Sequence, residues 1–236
     1  MGILGQVSKR MLIHIRQVLA SDQVKEMLRL LDEASWGDGR ETAGYLSARV
    51  KNNAQLPETE PLARQLGGMV LDALDRHAQF RSAALPLRII PPLFNRYSGG
   101  QTYGEHIDGA LRPVPGSRLR VRTDLSATLF LSAPETYDGG ELVIKDSLGE
   151  RRVKLPPGDM VLYPGTTIHS VMPVTRGTRL ASFFWIQSAV RENEKRALLY
   201  ELDGVVQELG ATPSAHAQSV RLAGIYHNLV RFWADS

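Results

Sequence analysis

The chain reads Tyr97-Ser98-Gly99-Gly100-Gln101-Thr102-Tyr103-Gly104-Glu105-His106-Ile107-Asp108 near the start of its most strand-like region. An isolated histidine, His169, lies 61 residues after Asp108, and Arg179 follows ten residues later. On an extended chain, side chains two residues apart point to the same side, so His106 and Asp108 can reach one ion. Two imidazoles and one carboxylate are the ligand set that holds non-haem Fe(II) on one face and leaves the opposite positions open. The pattern therefore predicts a metal site formed by His106, Asp108 and His169.

Each of these residues also has a simpler interpretation. The His106-x-Asp108 pair alone fits a solvated turn after a strand, and His169 alone fits a hydrogen-bonded core histidine. Arg179 opens a predicted strand, where a buried guanidinium is costly and needs an anion, but a protein carboxylate or simple exposure would satisfy it. Their common order along the β region favours one pocket. In that pocket Arg179 would grip the remote carboxylate of an acidic co-substrate through its planar fork.

Length and composition limit the classes of protein that the chain can belong to. It has 236 residues, a formal net charge of +3 and no cysteine. Disulfides, thiolate metal sites, iron–sulfur clusters and cysteine nucleophiles are therefore excluded, and any metal must use His, Asp or Glu. The modest charge and the lack of an aromatic-basic patch argue against nucleic acid as a partner. No apolar run approaches the roughly 20 residues that span a bilayer, so we expect a soluble, cytoplasmic protein without a membrane partner.

Changes in sequence pattern predict the order of the elements. Helices are expected from residue 21 and after residue 61, each with apolar residues at three- and four-residue spacing. Residues 87–187 carry short apolar runs separated by Gly, Pro and Asp turns, which is typical of a sandwich, a jelly roll or a small barrel. A hairpin late in this region is expected to carry both His169 and Arg179. Two amphipathic helices follow, separated by residues 210–214.

We therefore predict a mainly β chain with flanking helices, an α+β fold, in three parts. Residues 1–10 are expected to be an extension or an alternative start, because residue 11 opens a strand-like segment. Residues 11–187 should form the main domain, with its N-terminal helices packed on the β core. Residues 188–236 should form a helical subdomain whose apolar stripes pack on that core or, alternatively, seal a homodimer.

The region around the first histidine also resembles a known motif. The motif runs Tyr97-x-x-Gly100-x-x-Tyr103-x-x-His106-x-Asp108. It resembles that of the prolyl 4-hydroxylase-like Fe(II)/2-oxoglutarate dioxygenases, and residues 125–131, 139–142 and 157–164 look like the strands that follow in that family. The most similar group is the bacterial PKHD-type hydroxylases, which also carry a C-terminal helical extension like residues 188–236. The resemblance covers nearly all of the chain from residue 11 onward.

The resemblance implies a dioxygenase domain built as a double-stranded β-helix, or jelly roll, whose open mouth holds Fe(II) on His106, Asp108 and His169. 2-Oxoglutarate would bind the iron through its keto-acid end and Arg179 through its far carboxylate, and Tyr97 would donate its hydroxyl to that carboxylate. The activity implied is hydroxylation of a substrate with O₂ while 2-oxoglutarate is decarboxylated to succinate, with ascorbate as a reductant. The substrate is left open between a small molecule and a peptide.

Four arginines follow the metal motif closely, at positions 112, 118, 120 and 122. They predict either a solvated loop or a lid that closes over the site and meets an anionic substrate. The lid alternative depends on the position of this segment, which directly follows the predicted ligands His106 and Asp108.

Two other functions stay open at this point. A cupin-like metalloenzyme would keep the jelly roll but would not use 2-oxoglutarate, and it would have no need for Arg179 together with Tyr97. A non-catalytic module that senses a metal or 2-oxoglutarate would use its helical tail to contact a partner. Succinate formation that a substrate stimulates would distinguish the enzyme from the sensing module.

Overall fold

The computed structural model describes residues 12–114, 116–146 and 149–235, so the extension expected over residues 1–10 lies outside the described residues. The strands are, in chain order, β1 (Ile13–Ile15), β2 (Gly37–Asp38), β3 (Lys51–Asn52), β4 (Ala54–Gln55), β5 (Pro86–Ile89), β6 (Leu93–Ser98), β7 (Thr102–His106), β8 (Leu111–Pro113), β9 (Arg120–Arg122), β10 (Leu125–Phe130), β11 (Asp138–Gly139), β12 (Leu142–Asp146), β13 (Gly149–Val153), β14 (Met160–Pro164), β15 (Ile168–Val171), β16 (Val174–Arg176) and β17 (Thr178–Ser188). The α-helices are α1 (Ser21–Asp32), α2 (Pro61–Arg76), α3 (Ala78–Ala84), α4 (Asn193–Gly210) and α5 (His216–Trp233).

Two antiparallel sheets form the body of the protein. The larger sheet has the order β1-β14-β10-β17-β6-β4-β2, with β5 also paired to β17, and the smaller sheet has the order β13-β12-β15-β7-β3. Buried side chains from both sheets meet in one apolar layer: Tyr97, Phe130, Tyr137, Leu142, Ile144, Val153, Val161, Tyr163, Val171 and Val174. This is the jelly roll with flanking helices that the sequence predicted.

Strand β10 contributes side chains to both faces of the larger sheet, because neighbouring side chains on a strand point to opposite sides. Leu125, Ala127 and Leu129 join the core that the helices cover, whereas Ser126 and Thr128 point between the sheets and line a pocket. The polar residues of this strand are therefore placed on the inner face, where a ligand can reach them.

Helices α1 and α2 form where the sequence predicted them, and they cover the outer face of the larger sheet. Val24 and Met27 of α1 and Leu66 and Val70 of α2 are buried in the same core as the outer side chains of β10. Their three- and four-residue spacing places each pair on one side of its helix, which supplies the apolar stripe that the sheet needs. The helices thus hold the larger sheet rigid behind the pocket.

The expected hairpin carrying both His169 and Arg179 does not form. Strand β15, which carries His169, pairs with β12 and β7 in the smaller sheet. Strand β17, which carries Arg179, pairs with β10 and β6 in the larger sheet, and the short β16 between them pairs with β11. The chain therefore crosses from one sheet to the other between the two residues, which lie on opposite walls of the pocket.

The arginine-rich segment after the metal motif is a second difference from the sequence prediction. It is not an irregular loop, because β8 and β9 pair as a hairpin in which Leu111 lies opposite Arg122 and Pro113 lies opposite Arg120. A paired hairpin holds each of its side chains at a defined position, so the four arginines need not share one role.

The tail is helical, as predicted, but its packing differs from the expectation. Helix α4 packs against α3 and α5 and buries Arg196 and Leu199. Helix α5 buries Ser219 alone among its described residues and leaves Phe232 83% exposed, so the expected packing of its apolar stripe on the β core is wrong. The homodimer and the boundary between residues 187 and 188 stay predictions. In the part of the chain that is described, no helix combines the length and apolarity needed to cross a membrane.

Candidate metal and co-substrate site

Strand pairing brings the three predicted metal ligands together. His106 ends β7 and lies opposite His169 of β15 in the smaller sheet, and the centroids of the two rings are 4.2 Å apart. Asp108 follows β7 by two residues, with Oδ1 4.0 Å from Nε2 of His106 and Oδ2 3.7 Å from Nε2 of His169. One ligand atom from each residue lies within 4.8 Å of those of the other two.

The two imidazoles are held in the same way. Nδ1 of His106 lies 2.8 Å from the carbonyl oxygen of Gly104, and Nδ1 of His169 lies 2.9 Å from that of Thr167. A carbonyl oxygen can only accept, so each Nδ1 donates a proton, and in the neutral form of either ring Nε2 carries the free lone pair beside Asp108. A backbone partner on the second nitrogen is the usual support of a metal-binding histidine. Bonds of about 2.1 Å to ligands on one face of an ion place the ligand atoms about 3 Å apart, so the Asp108 contacts of 4.0 and 3.7 Å would shorten by about 1 Å when an ion binds.

Burial and neighbouring groups also give His106 and Asp108 the protonation states that a metal requires. Burial, with a smaller effect from His169, lowers the pKa of His106 to about 4, so this ring is neutral near pH 7. Burial alone would raise the pKa of Asp108, but His169 and hydrogen bonds from Ser126 and Trp185 oppose burial, and the net pKa is lowered. Ser126 Oγ donates to Oδ2 of Asp108 at 2.6 Å. The site therefore offers a carboxylate and a neutral imidazole as metal ligands.

Arg179 lies in the same pocket and has no anion of its own. Its side chain is on β17 opposite Tyr97 of β6, and the residue is only 1% exposed. Nη1 lies 3.5 Å from Oδ1 of Asn95, and Nε has no hydrogen-bond partner. Within residues 12–114, 116–146 and 149–235, no carboxylate forms an ion pair with it. Neither exposure nor a described protein carboxylate explains this arginine, and a buried guanidinium with open donors calls for an anionic ligand.

Tyr97 and Gly140 lie next to Arg179 and shape its environment. Burial raises the pKa of Tyr97 to about 12 although the charge of Arg179 opposes the shift, so the phenol keeps its proton and can donate. Gly140 has a φ of +67°, and a Cβ there would lie 3.0 Å from Cδ of Arg179 and 2.9 Å from Cε2 of Tyr137. A glycine is therefore required at this position both by the backbone conformation and by the packing of the arginine.

The pocket between the sheets encloses about 720 Å³, including its open mouth. Sequence reasoning did not identify several residues of its wall: Lys51, Asn95, Ser126, Tyr163, Phe183 and Trp185. Lys51 gave no signal because β3 is only two residues long and reaches the site by pairing with β7. Tyr103, whose ring stacks on His106 at 3.6 Å, is part of the motif itself.

The four arginines of the β8–β9 hairpin have different positions. Arg112 lines the pocket, whereas Arg118 and Arg120 are exposed. Arg122 forms ion pairs with Asp124 and Asp235. Of these four arginines, Arg112 is therefore the one that could meet an anionic ligand in the pocket.

Comparisons with known proteins identify the family of the chain. Residues 92–187 match the model of the 2OG-Fe(II) oxygenase superfamily, and residues 193–235 match that of the PKHD-type hydroxylase C-terminal domain. A PKHD-type hydroxylase of Bordetella pertussis is 56% identical over 225 residues, which are 95% of this chain and 100% of the relative. A PKHD-type hydroxylase of Xanthomonas campestris is 57% identical over 227 residues, again 95% and 100% of the two chains.

Solved structures show the same fold at low sequence identity. A prolyl-4-hydroxylase of Pseudomonas putida has a TM-score of 0.53 at 19% identity, covering 77% of this chain and 95% of that chain. A prolyl hydroxylase of Trichoplax adhaerens, in complex with a peptide fragment of hypoxia inducible factor, has a TM-score of 0.54 at 17% identity, covering 82% and 89%. At these identities the likeness concerns the fold and not the substrate.

Proposed function

The chain belongs to the PKHD-type hydroxylases of the 2OG-Fe(II) oxygenase superfamily, and on that premise we propose how it works as a 2-oxoglutarate-dependent dioxygenase. Fe(II) is held by His106, Asp108 and His169, and 2-oxoglutarate is anchored by Arg179 and Tyr97. The enzyme uses one atom of O₂ to hydroxylate its substrate and the other to convert 2-oxoglutarate to succinate and CO₂, with ascorbate as an accessory reductant. The observation that carries the proposal is the convergence of the three ligand atoms beside a buried, unpaired arginine.

The donor set fits Fe(II). When bound, the iron supplies the activation of O₂, which no amino-acid side chain can provide. His106 of β7, Asp108 just after it and His169 of β15 offer ligand atoms close together and line the pocket, so these three residues would hold the ion there. The hydrogen bonds to Gly104, Thr167 and Ser126 fix these side chains before the ion arrives.

Arg179 and Tyr97 favour a dicarboxylate co-substrate. A keto acid without a second carboxylate would leave the buried guanidinium unpaired, and that is costly where water cannot reach it. Tyr97 adds a neutral hydroxyl donor, because its raised pKa keeps it protonated. The cupin-like alternative that does not use 2-oxoglutarate gives this pair of residues no role.

The aromatic wall of the pocket completes the proposal. Tyr163, Phe183 and Trp185 line the space beside the metal ligands and limit the access of water to it. Exclusion of water would strengthen the ionic contacts of Arg179 with a bound carboxylate. These side chains would orient the reactants and shield them from water.

The test measures succinate formation and O₂ consumption after protein loaded anaerobically with Fe(II) and 2-oxoglutarate is exposed to air. We expect both only when both additions are present. His106→Ala and Asp108→Ala should lose tight iron binding and succinate formation, since each removes one of three ligands. His227→Ala, an exposed histidine of α5 outside the pocket, is the control and should behave as the wild type. Full activity in either ligand variant would refute the assignment.

A further inference from the structure

A second pair of cations lines the pocket, away from Arg179. Lys51 is only 5% exposed, and its Nζ donates to Oγ1 of Thr42 and Oε1 of Gln55, both at 3.1 Å. Both acceptors are neutral, so they satisfy hydrogen bonds but do not balance the charge. Asp108, Asp38 and Glu58 act on Lys51 only from a distance, and none of them forms an ion pair with it in the described chain. A buried ammonium without a counter-charge is costly.

Arg112 is the other member of the pair. Its guanidinium carbon lies 3.8 Å from the centroid of the Trp185 ring. Stacking uses the flat face of a guanidinium and leaves its N–H edge free to donate. Within the residues that the structure describes, Arg112 has no carboxylate at ion-pair distance, in contrast to Arg122 on the same hairpin. Burial lowers the pKa of Lys51, and the proximity of Arg112 lowers it further, so the two like charges are close enough to repel each other.

The formal charges of the groups in the pocket show that this pair is not neutralised by the site already described. Among the charged residues that line the pocket, Asp108 is the one carboxylate, against Lys51, Arg112 and Arg179. Fe(II) with Asp108, and 2-oxoglutarate with Arg179, balance one another to zero formal charge, which rests on the proposed function. Among the described residues, Lys51 and Arg112 then keep their positive charges without an ion pair, and Glu58 acts on both only from a distance. A low-dielectric pocket makes such an imbalance a binding preference for an anion.

Lys51 and Arg112 lie near the proposed metal ligands. Lys51 Nζ lies 5.3 Å from the centroid of Tyr103, whose ring in turn stacks on His106 at 3.6 Å. Arg112 stacks on Trp185, which donates a hydrogen bond to Asp108. Each cation is therefore separated from a metal ligand by one aromatic ring. An anion held here would lie beside the metal and not on it.

We propose that Lys51 and Arg112 form a subsite for an oxyanion group, a carboxylate or a phosphate, of a small-molecule substrate. The cations fix the acidic end of the substrate, and the carbon to be hydroxylated lies a few bonds away, toward the metal ligands. The pocket is lined by aromatic and apolar side chains and by these few charged groups, which is the usual lining of a small-ligand site. Phe183, with Lys51 Nζ 5.7 Å from its ring, offers an apolar wall for the rest of the molecule.

Calorimetric titration with inorganic phosphate, under argon and with Fe(II) and 2-oxoglutarate present, tests the subsite. 2-Oxoglutarate occupies the anion site at Arg179 under these conditions, so phosphate reports on the second site. We expect Lys51→Met and Arg112→Gln each to raise the Kd for phosphate at least tenfold. Arg118→Gln removes the same charge from an exposed position of the same hairpin and should change the Kd less than twofold. A parallel titration with acetate tells whether the site prefers a carboxylate or a phosphate.

The outcomes distinguish this proposal from the function on which it rests. Phosphate binding that is absent in the wild type, or that both variants retain, would overturn the subsite. The absorbance band of the Fe(II)–2-oxoglutarate complex is recorded in the same samples, and its absence in the wild type would instead count against the proposed function. In that case the titration is repeated on metal-free Arg179→Leu protein, where Lys51→Met and Arg112→Gln must still weaken phosphate binding. Because the two substitutions lie on different elements, one remains decisive if the other does not fold.

Discussion

Arg179 is a buried cation whose position in the sheet gives it no anion of its own. Arg179→Leu should raise the Kd for 2-oxoglutarate about 100-fold, since loss of one partner of a buried charge pair costs roughly 2 to 5 kcal/mol. Iron binding should persist, because His106, Asp108 and His169 are unchanged. The measurement is titration of the anaerobic Fe(II) protein with 2-oxoglutarate, and Arg176→Leu, in an exposed ion pair with Asp138, is the control. An unchanged 2-oxoglutarate requirement would refute the anchoring role.

Ser126 supports the metal site without being a ligand. Its hydroxyl donates to Asp108 at 2.6 Å, and it holds the carboxylate oriented and charged. Ser126→Ala should weaken Fe(II) binding by about tenfold, the lower end of the usual effect of removing a group that supports a ligand. Ser182→Ala is the matched control, because Ser182 is buried on the opposite face of its sheet and its hydroxyl has no partner. Equal iron affinity in the two variants would show that Asp108 needs no such support.

Lys51 should make stability depend on alkaline pH. Burial, with Arg112, lowers its pKa from 10.5 to about 8, while Asp108, Asp38 and Glu58 oppose the shift. Between these two pH values the unfolded chain binds a proton that the folded protein does not, so the free energy of unfolding rises with pH. Relative to Lys51→Met, the wild type should gain up to about 3 kcal/mol from pH 8 to pH 10.5. Urea unfolding of both proteins across this range measures it, and a pH-independent difference would contradict the buried charge.

Among the secondary-structure elements, those with long apolar patterns could be predicted from the sequence, and a strand of two residues could not. Helices α1 and α2 and the main strands of the larger sheet follow from periodicities that the sequence shows directly. Strand β3 has two residues and no periodicity, so its role depends wholly on pairing with β7, about 50 residues away. His169 and Arg179 are only ten residues apart in the sequence, which suggested that one hairpin carries both. Pairing with strands distant in the chain instead places them in different sheets. The three residues that converge in the pocket, and Arg179 beside them, could be predicted from their chemistry, whereas the other residues of the pocket wall and the two sheets that form it could not.

Arg196 joins the helical tail to the end of β17. Its buried guanidinium donates to the carbonyl oxygens of Val190 and Arg191 at 2.6 and 2.7 Å and also contacts Asn193. Arg196→Ala leaves these buried acceptors unpaired and should lower the free energy of unfolding by about 2 to 4 kcal/mol. Chemical denaturation measures the loss, and hydrogen exchange should report the largest increase in α4. The exposed Arg191→Ala is the control, and an equal loss in both variants would mean that the buried contacts contribute nothing.

The whole molecule is a frame that holds a few side chains from distant parts of the chain at one place. The proposed metal ligands lie in or just after two paired strands of the smaller sheet, and Arg179 comes from the larger sheet, on whose outer face the helices pack. Such a site exists only when both sheets are formed. Binding of a metal and a co-substrate across the two sheets should therefore stabilise the folded state as a whole.

Thermal unfolding tests this coupling. Fe(II) at 100 times its Kd should add about 2.7 kcal/mol to the free energy of unfolding, which corresponds to a rise in Tm of roughly 5 to 10 °C for a chain of this size. 2-Oxoglutarate should raise the Tm further in the wild type and not in Arg179→Leu. His106→Ala should show little response to iron, and a chelator should return the wild type to its metal-free Tm. An equal iron-dependent rise in His106→Ala would place the metal somewhere other than between the three side chains, because that variant keeps every other His, Asp and Glu of the chain.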